Sequence, residues 1–246
     1  NAESIKYYAS LLLRVNTTEP EKIEAAKLLK NIADNGDVDS MKSYGDCLYY
    51  GIGVEKNKIE SYKYYLKAIE NGHASTMNFY GELLENGDEG IEMNKEEALK
   101  YFKLAADNGN VDGMFNYAVN KFAGIGTEVN KEEAAKYFKF AAEKGHGPAI
   151  ANYASCLRKG EGVKMDKELA AKYYRFAIEK GSPLALLWYG EILENGEGIE
   201  MNKIEAIKFY KLAIEAGIDD AMEKYENLLN VLQNEIKICE DNQNTE

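Results

Sequence analysis

The residue types that most often carry chemistry are few in this sequence and are scattered along it. His73 and His146 are its two histidines, and each directly follows a glycine at the end of a helix-like segment. Neither has a cysteine or another nucleophile at a matching spacing, as an acid-base pair or a metal site would require. We therefore predict that both histidines are turn residues and that the chain has no catalytic residue, no metal site and no cofactor.

Three glycine pairs are similar to loops that bind phosphate groups. They are Gly51-Ile52-Gly53, Gly124-Ile125-Gly126 and Gly160-Glu161-Gly162. A phosphate-binding loop follows a strand and ends in Lys-Ser or Lys-Thr, whereas these pairs follow helix-like segments and lack that ending. The pattern favours connecting loops. The many acidic side chains recur in helix caps and on exposed helix positions, which is typical of structural roles.

The cysteines predict neither a disulfide framework nor a zinc site. Cys47, Cys156 and Cys239 are odd in number, far apart and without C-x-x-C spacing, whereas disulfide frameworks and zinc sites use paired, closely spaced cysteines. A reducing compartment fits this usage best, so we expect a cytoplasmic protein. Cys47 and Cys156 each stand three residues after a recurring tyrosine, and we interpret both as packing residues.

The charge balance and the absence of long apolar runs argue against two classes of partner. The chain has 42 acidic and 30 basic residues and a formal net charge of -12, so its field repels the phosphate backbone of nucleic acids. No apolar run approaches the roughly 18 residues that a membrane span needs. We expect no nucleic-acid partner and no direct insertion into a membrane.

A fixed repeat decides the fold class. Glycines that follow a helix-like segment recur at intervals of 36, 37, 36, 36 and 36 residues, at Gly36, Gly72, Gly109, Gly145, Gly181 and Gly217. Tyrosines recur at the same step, and all but the last precede a Gly or Ala: Tyr8, Tyr44, Tyr80, Tyr117, Tyr153, Tyr189 and Tyr225. The interval of 37 reflects one extra residue in the loop at 86–90. Each repeat contains two amphipathic segments, which predict a first helix, A, and a second helix, B.

The B helices have start signals in the sequence. An asparagine followed three residues later by a glutamate predicts a capping box in four repeats, at Asn57, Asn94, Asn130 and Asn202. Asp166 stands in the same place without the glutamate. The recurring glycines predict left-handed residues just after the B helices. The small residue beside each tyrosine of the A helix predicts a close approach of a neighbouring helix.

One helix pair cannot bury its own apolar face, so successive pairs must stack. The sequence predicts an all-α, right-handed α-α superhelix, or solenoid, of about six to seven helix-turn-helix repeats. We place the solenoid at residues 1–239 and a frayed, polar tail at 240–246. The predicted units lie near 1–36, 37–72, 73–109, 110–145, 146–181 and 182–217, followed by a cap at 218–239.

The repeats resemble those of the Sel1-like repeat family, which is related to the tetratricopeptide repeats. The repeat at 146–181 carries the family pattern in Ala149, Ala154, Gly160-Glu161-Gly162-Val163, Ala171, Tyr174, Ala177 and Gly181. The chain differs from the family in carrying Tyr where Leu usually precedes the small residue, and in lacking the cysteine pairs of secreted bacterial members. The resemblance implies a non-catalytic scaffold or adaptor that binds protein partners.

The positions two before, two after and five after each A-helix tyrosine project away from its core face, and we expect them to line a concave surface. Most are polar. In the fourth repeat they are Phe115, Val119 and Phe122, an apolar stripe. The stripe has two interpretations that the sequence leaves open: a groove for the apolar anchor of a partner, or burial against the fifth repeat.

Further residues complete the predicted binding surface. Phe79 and Trp188, each one residue before its tyrosine, extend the aromatic surface. Asn116 and Asn152 occupy the same position in their repeats, and we expect them to hydrogen-bond the backbone of a bound peptide. The resemblance supports this role, because family members often carry Asn there. Glu82 and Arg158 belong to the concave positions. The glutamates of this surface predict a protein or peptide partner with an apolar anchor and basic flanks.

The leading hypothesis is an interaction scaffold without enzymatic activity. The alternative is the regulatory or substrate-recognition array of a larger enzyme or signalling complex. Self-association through the open ends of the array is a further alternative that the sequence leaves open.

Overall fold

The computed structural model of the protein describes residues 6–9, 11 and 17–243. Within these residues the regular elements are α-helices, which confirms the all-α repeat class. From residue 19 onward the helices are α1 (Glu19–Asp34), α2 (Val38–Tyr50), α3 (Lys58–Glu70), α4 (Ala74–Asn86), α5 (Lys95–Asp107), α6 (Val111–Ala123), α7 (Lys131–Glu143), α8 (Gly147–Lys159), α9 (Lys167–Glu179), α10 (Pro183–Asn195), α11 (Lys203–Glu215) and α12 (Asp220–Gln243).

The chain divides into two compact units, residues 1–128 and residues 129–246. In unit 1, α2 packs on α3 and α4 on α5, with α1 before them and α6 after them. Unit 2 contains α7, the pairs α8–α9 and α10–α11, and α12. Helices α2, α4, α6, α8 and α10 are the predicted A helices, and α3, α5, α7, α9 and α11 are the B helices that follow them.

The A and B helices of a repeat are joined by a recurring aromatic pair. The A-helix tyrosine meets an aromatic ring of the B helix edge to face, with centroid separations of 4.8 to 5.1 Å. The pairs are Tyr44–Tyr64, Tyr80–Tyr101, Tyr153–Tyr173 and Tyr189–Phe209. The quadrupoles of the two rings favour this edge-to-face geometry. The recurring tyrosine therefore serves to hold the A helix against the B helix.

The small residue beside that tyrosine has the predicted steric role. A Cβ added to Gly45 would lie 2.6 Å from Cε1 of Tyr65, and one added to Gly190 would lie 2.6 Å from Cε1 of Tyr210. Carbon atoms at rest stay about 3.5 Å or more apart. The glycine therefore lets the B-helix ring lie directly against the A-helix backbone.

The asparagine caps form as predicted, but the reciprocal half of the capping box is replaced. The Asn57 side chain accepts a hydrogen bond from the N–H of Glu60, and Asn94 accepts one from Glu97. The backbone N–H of Asn57 donates to the carbonyl of Leu48, at 2.8 Å. Asn94, Asp166 and Asn202 donate to the matching carbonyls of Leu84, Leu157 and Leu193. The A helix thus satisfies the N–H that the glutamate was predicted to reach.

The glycine pairs are connecting loops, which confirms their interpretation. The first glycine ends an A helix in the left-handed conformation, as Gly160 does at φ 70°. The second, Gly162, has φ +71°, and a Cβ there would lie 2.0 Å from the carbonyl oxygen of Lys131 at the start of α7. The loop therefore packs directly on the preceding B helix.

The two described cysteine side chains and the C-terminal helix complete the fold. Cys47 and Cys156 are buried, and burial raises the pKa of their thiols to about 12 and about 11, so both are packing residues, as predicted. The side chain of Cys239 lies outside the described residues. Helix α12 extends to Gln243 and so includes residues 240–243, which the sequence assigns to the tail.

Candidate partner-binding surface

Both histidines cap helices. Nδ1 of His73 accepts a hydrogen bond from the N–H of Thr76 at the start of α4, and Nδ1 of His146 accepts one from Ala149 at the start of α8, at 3.1 Å. Nε2 of His73 lies 3.3 Å from a carboxylate oxygen of Asp39. These contacts account for the post-glycine position that the two histidines share.

The apolar stripe lies on α6 in unit 1. Phe115, Val119 and Phe122 are all half-buried. Phe115 and Val119 line a cleft of about 390 Å³ between the C-terminal end of α4, the loop that follows it and α6. The other side chains of the cleft belong to Glu85, Asn86, Met93, Lys95, Asn116, Asn120 and Ile125. Two of the three predicted stripe residues therefore share one concave feature.

Beside this cleft, three amide side chains and one carboxylate form a hydrogen-bonded cluster. Asn116 Nδ2 donates to Asn78 Oδ1 at 3.0 Å and to Glu82 Oε1 at 3.2 Å. Asn78 Nδ2 also donates to Glu82, at 2.8 Å, and Asn120 Nδ2 donates to the carbonyl of Asn116. The predicted residues Asn116 and Glu82 are therefore in direct contact.

Asn120 leaves one strong acceptor unused. The residue is 3% exposed, and its Oδ1 is buried and has no hydrogen-bond partner. A buried carbonyl oxygen without a partner costs about 1–3 kcal/mol, which natural proteins seldom tolerate without a reason. Asn120 was not among the residues predicted from the sequence. The sequence contains a signal for it: three residues after the A-helix tyrosine, the other repeats carry apolar residues or cysteine, namely Cys47, Leu83, Cys156 and Ile192, whereas this repeat carries a polar amide.

Glu82 is a half-buried carboxylate with a perturbed pKa. Burial raises the pKa above its ordinary value, and this effect outweighs the hydrogen bonds from Asn78 and Asn116, which favour the ionised form. Its charge is therefore costly in the protein alone. A cation that approached Glu82 would offset that cost.

Phe79 and Trp188 contact aromatic residues of the preceding repeat. The ring of Phe79 lies 5.4 Å from that of Tyr65 and 5.8 Å from that of Tyr49, in edge-to-face geometry. Trp188 lies 5.8 Å from Tyr174. Both side chains are half-buried. They therefore join successive repeats.

Arg158 and Asn152 lie in unit 2 and have internal partners. The Arg158 guanidinium binds Glu197 through Nε and Nη2, at 3.2 and 2.7 Å, and Glu191 through Nη1, at 2.7 Å. Burial disfavours the charged guanidinium, but these carboxylates more than compensate and raise its pKa. Asn152 donates to the carbonyl of Pro148 in its own helix. Arg158 therefore already serves as the counter-ion of two glutamates.

One part of the predicted surface map is wrong. Residues two before the A-helix tyrosine were expected to line the concave surface, yet Asn78, Ala151 and Leu187 are buried. The A helices of neighbouring repeats contact each other within each unit, α4 with α6 and α8 with α10. These contacts cover the inner flank of the helix, and the residues two and five after the tyrosine stay half-buried.

The repeat itself matches a known family. The Sel1 repeat model matches five successive segments of the chain, residues 38–73, 74–110, 111–146, 147–182 and 183–218. The chain belongs to the Sel1 repeat family.

Solved structures agree with this assignment. The chain is 30% identical to a Sel1 repeat protein from Oxalobacter formigenes, over 84% of this chain and 82% of that one, with a TM-score of 0.76. It is 22% identical to c5321, a protective antigen of uropathogenic Escherichia coli with the same repeat fold, at a TM-score of 0.68. That match covers 94% of this chain but 57% of c5321. Comparison with curated proteins gave no match.

Sel1 repeat proteins are generally scaffolds for protein interactions, and this fold is typically non-catalytic. In the part of the chain that the structure describes, His, Cys, Asp and Glu side chains form no group that could hold a metal ion. Over the same residues, no helix combines the length and the apolar character needed to cross a bilayer.

Proposed function

We propose that this Sel1 repeat chain is a protein-interaction scaffold whose unit 1 cleft takes an apolar side chain of a partner peptide. The observation that carries this proposal is the cleft beside α6, where Phe115 and Val119 share a concave space with Asn120, whose buried amide oxygen has no hydrogen-bond partner. Apolar surface next to a few polar groups of fixed orientation is typical of ligand sites.

The amide cluster supports recognition of a peptide backbone. Asn116 is held by Asn78 and Glu82, so its side chain is already oriented before a partner binds. Asn120 Oδ1 lacks a donor and is buried, so a peptide N–H supplies one once the cleft opens around this amide. Satisfying a buried acceptor contributes to affinity, and an oriented site loses little side-chain entropy on binding.

The carboxylates support a partner with basic flanks. Glu85 lines the cleft and Glu82 lies beside it in the amide cluster. A Lys or Arg on the partner neutralises a Glu82 charge that burial already disfavours. The proposed ligand is therefore a peptide with one large apolar residue next to basic residues.

The test uses a displayed library of random peptides selected on the intact protein and on the Phe115→Glu variant. We expect the wild type to enrich peptides with an apolar residue flanked by Lys or Arg. A charge placed in the cleft removes the apolar contact, so the variant should bind those peptides at least about tenfold more weakly, as measured by fluorescence anisotropy.

The matched control is Phe176→Glu, which places the same charge on an exposed phenylalanine of unit 2, far along the chain from the cleft. Circular dichroism checks that both variants keep the helicity and melting temperature of the wild type. Equal affinity of the enriched peptides for wild type and Phe115→Glu, or equal loss in the control, would refute the proposal.

A further inference from the structure

A row of exposed apolar side chains follows the B helices of unit 2. Phe140 in α7, Phe176 in α9 and Leu212 in α11 occupy the same place in successive repeats and are 38, 37 and 46% exposed. Single exposed apolar residues are ordinary, whereas the same exposed apolar position in three successive B helices is a pattern typical of interaction surfaces.

Surface contacts cover only part of this row: Phe140 meets Tyr137 edge to face, and Lys136 and Lys180 lie over the rings of Phe140 and Phe176. The core faces of the three helices are filled by other residues, among them Phe138, Tyr174 and Tyr210, which are almost completely buried. Phe176 instead lines a cleft of about 300 Å³ between α7 and α9, whose other walls are Ala142, Glu143, Lys172 and Tyr173. An apolar side chain from outside the chain fits a cleft of this kind.

Basic residues stand beside the row on all three helices. Lysines lie one turn before it, at Lys136, Lys172 and Lys208, and further basic residues directly before it, at Lys139, Arg175 and Lys211. Lys172 pairs with Glu168 at 2.9 Å and Lys139 approaches Glu143 at 3.8 Å. Among the residues that the structure describes, no carboxylate pairs with the other four, which are all exposed.

The equivalent place in unit 1 is different. Leu104 of α5 is 41% exposed, and the same two lysine positions precede it. Here both lysines are neutralised within the helix, Lys100 by Glu97 at 2.8 Å and Lys103 by Asp107 at 2.5 Å. Among the described residues, four of the six basic side chains beside the row in unit 2 thus lack a carboxylate partner, whereas both lysines beside Leu104 have one. The chain as a whole has a net charge of -12.

We propose that this row is a second binding surface, for an acidic peptide segment with aromatic or aliphatic side chains. The apolar residues of the peptide fill the cleft beside Phe176, and the carboxylates of the peptide pair with Lys136, Arg175, Lys208 and Lys211. Charge complementarity of this kind selects a partner opposite in sign to the one proposed for the cleft of unit 1.

The acidic residues on the far side of the row favour a peptide over an anionic membrane. Glu143, Glu179 and Glu215 follow the apolar row by one turn on each helix, and Lys144 and Lys180 stand next to the first two. A bilayer of anionic lipids would press negative charge against these glutamates and against a chain whose net charge is -12, and it would meet this repulsion. A peptide can place its carboxylates on the basic edge alone.

The experiment selects a displayed random peptide library on the intact protein, on Phe176→Glu, on Lys208→Gln/Lys211→Gln and on the matched control Leu104→Glu. We expect the wild type and the control to enrich acidic peptides with apolar residues. Their affinity should fall at least about tenfold in Phe176→Glu and severalfold in the double variant, and it should weaken as salt rises.

Peptides of the unit 1 cleft should keep their affinity in all three variants, so failure of this proposal is distinguishable from failure of the proposed function. The proposal is overturned if no acidic peptides are enriched, if Leu104→Glu loses them as fully as Phe176→Glu does, or if phosphatidylserine vesicles alone bind the surface in a Phe176-dependent manner. Circular dichroism should show unchanged helicity in each variant, so that a loss of affinity for the acidic peptides is attributed to the altered surface and not to unfolding.

Discussion

Glu82 and Asp88 are close in sequence, yet their surroundings move the pKa of their carboxyl groups in opposite directions. Burial raises the pKa of Glu82 more than its two amide donors lower it. Burial also acts on Asp88, but Lys58, the hydroxyls of Tyr49 and Tyr62 and the N–H of Glu89 all favour its ionised form, and its pKa lies well below the ordinary value. Glu82 thus has unused capacity for a cation, whereas Asp88 is a structural anion.

Glu82→Gln should stabilise the protein and weaken its binding. Glutamine keeps an oxygen that accepts hydrogen bonds from Asn78 and Asn116, but it carries no charge. We therefore expect the free energy of unfolding to rise by about 0.5–1 kcal/mol at pH 7. Because the folded pKa of Glu82 is raised, the wild type loses stability as pH rises above about 4.3, and the gain should vanish below that pH.

Urea unfolding at pH 7 and at pH 4 measures this gain, and anisotropy measures the affinity for the basic peptides of the unit 1 cleft, which should fall about tenfold. A glutamine variant that is less stable at pH 7, or that binds basic peptides as tightly as the wild type, would contradict the assigned role.

Asp88→Asn should destabilise the protein in a pH-dependent manner. Asp88 accepts hydrogen bonds from Tyr49 at 2.5 Å and Tyr62 at 2.9 Å and pairs with Lys58, whose side chain is 15% exposed. Removing the charge should cost about 2–3 kcal/mol at pH 7. The stabilisation by a depressed pKa is complete above the unfolded value of about 3.9 and is lost as pH falls below it.

The difference between wild type and Asp88→Asn in urea unfolding should therefore narrow by about 1 kcal/mol between pH 7 and pH 3. Asp166→Asn is the matched control, because Asp166 caps α9 by accepting from the N–H of Leu169, and asparagine fills the same role at Asn130 and Asn202. A gap for Asp88→Asn that is the same at both pH values would rule out the ionised carboxylate as its cause.

At the level of helices and loops, the features that follow from local chemistry were predictable. The asparagine caps, the positive-φ glycines after the B helices and the glycine loops need only the residues of one segment, and the structure contains them. The replaced half of the capping box was not predictable, because the carbonyl of Leu48 that receives the Asn57 N–H belongs to another helix.

The same distinction explains the candidate site. Phe115 and Val119 were visible as an apolar break in a polar pattern, and the structure places both on one cleft. The burial of Asn78 and the internal pairing of Arg158 depend on how neighbouring A helices pack, and a single repeat contains no information on that packing. Glu197, the bidentate partner of Arg158, lies in the loop of the next repeat.

The glycine loops allow a test of the contact between a loop and the preceding B helix. Gly162 and Gly181 both have positive φ, +71° and +78°, but only Gly162 is crowded. A Cβ at Gly162 would lie 2.0 Å from the Lys131 carbonyl oxygen, whereas one at Gly181 would meet nothing within 4 Å. Alanine at Gly181 should cost about 1 kcal/mol through backbone strain alone. Alanine at Gly162 should cost at least about 3 kcal/mol, because the loop must also move off α7.

Urea unfolding of the two variants gives both values. Equal destabilisation at Gly162 and Gly181 would show that backbone conformation alone fixes the second glycine of the loop and that the close approach to α7 contributes nothing.

At the scale of a whole unit, stability is local because each helix contacts its neighbours in sequence. Within unit 1 and within unit 2, the extensive helix contacts join consecutive helices or the A helices of adjacent repeats. Repeat proteins of this kind have stabilities that are nearly sums of repeat and nearest-neighbour terms. Damage to one loop should therefore loosen the unit that contains it before it affects the rest.

Hydrogen exchange followed by mass spectrometry tests this with two equivalent variants. In Gly162→Ala the new Cβ meets Lys131 in unit 2, and in Gly126→Ala it lies 2.3 Å from the Lys95 carbonyl oxygen in unit 1. We expect Gly162→Ala to speed exchange mainly in α7–α10, and Gly126→Ala mainly in α4–α6, because lost protection follows the helices that contact the damaged loop. If both variants instead raised exchange equally from α1 to α12, the chain would unfold as one cooperative body. A partner bound to the cleft of unit 1 would then stabilise the B-helix row of unit 2 as strongly as the cleft itself.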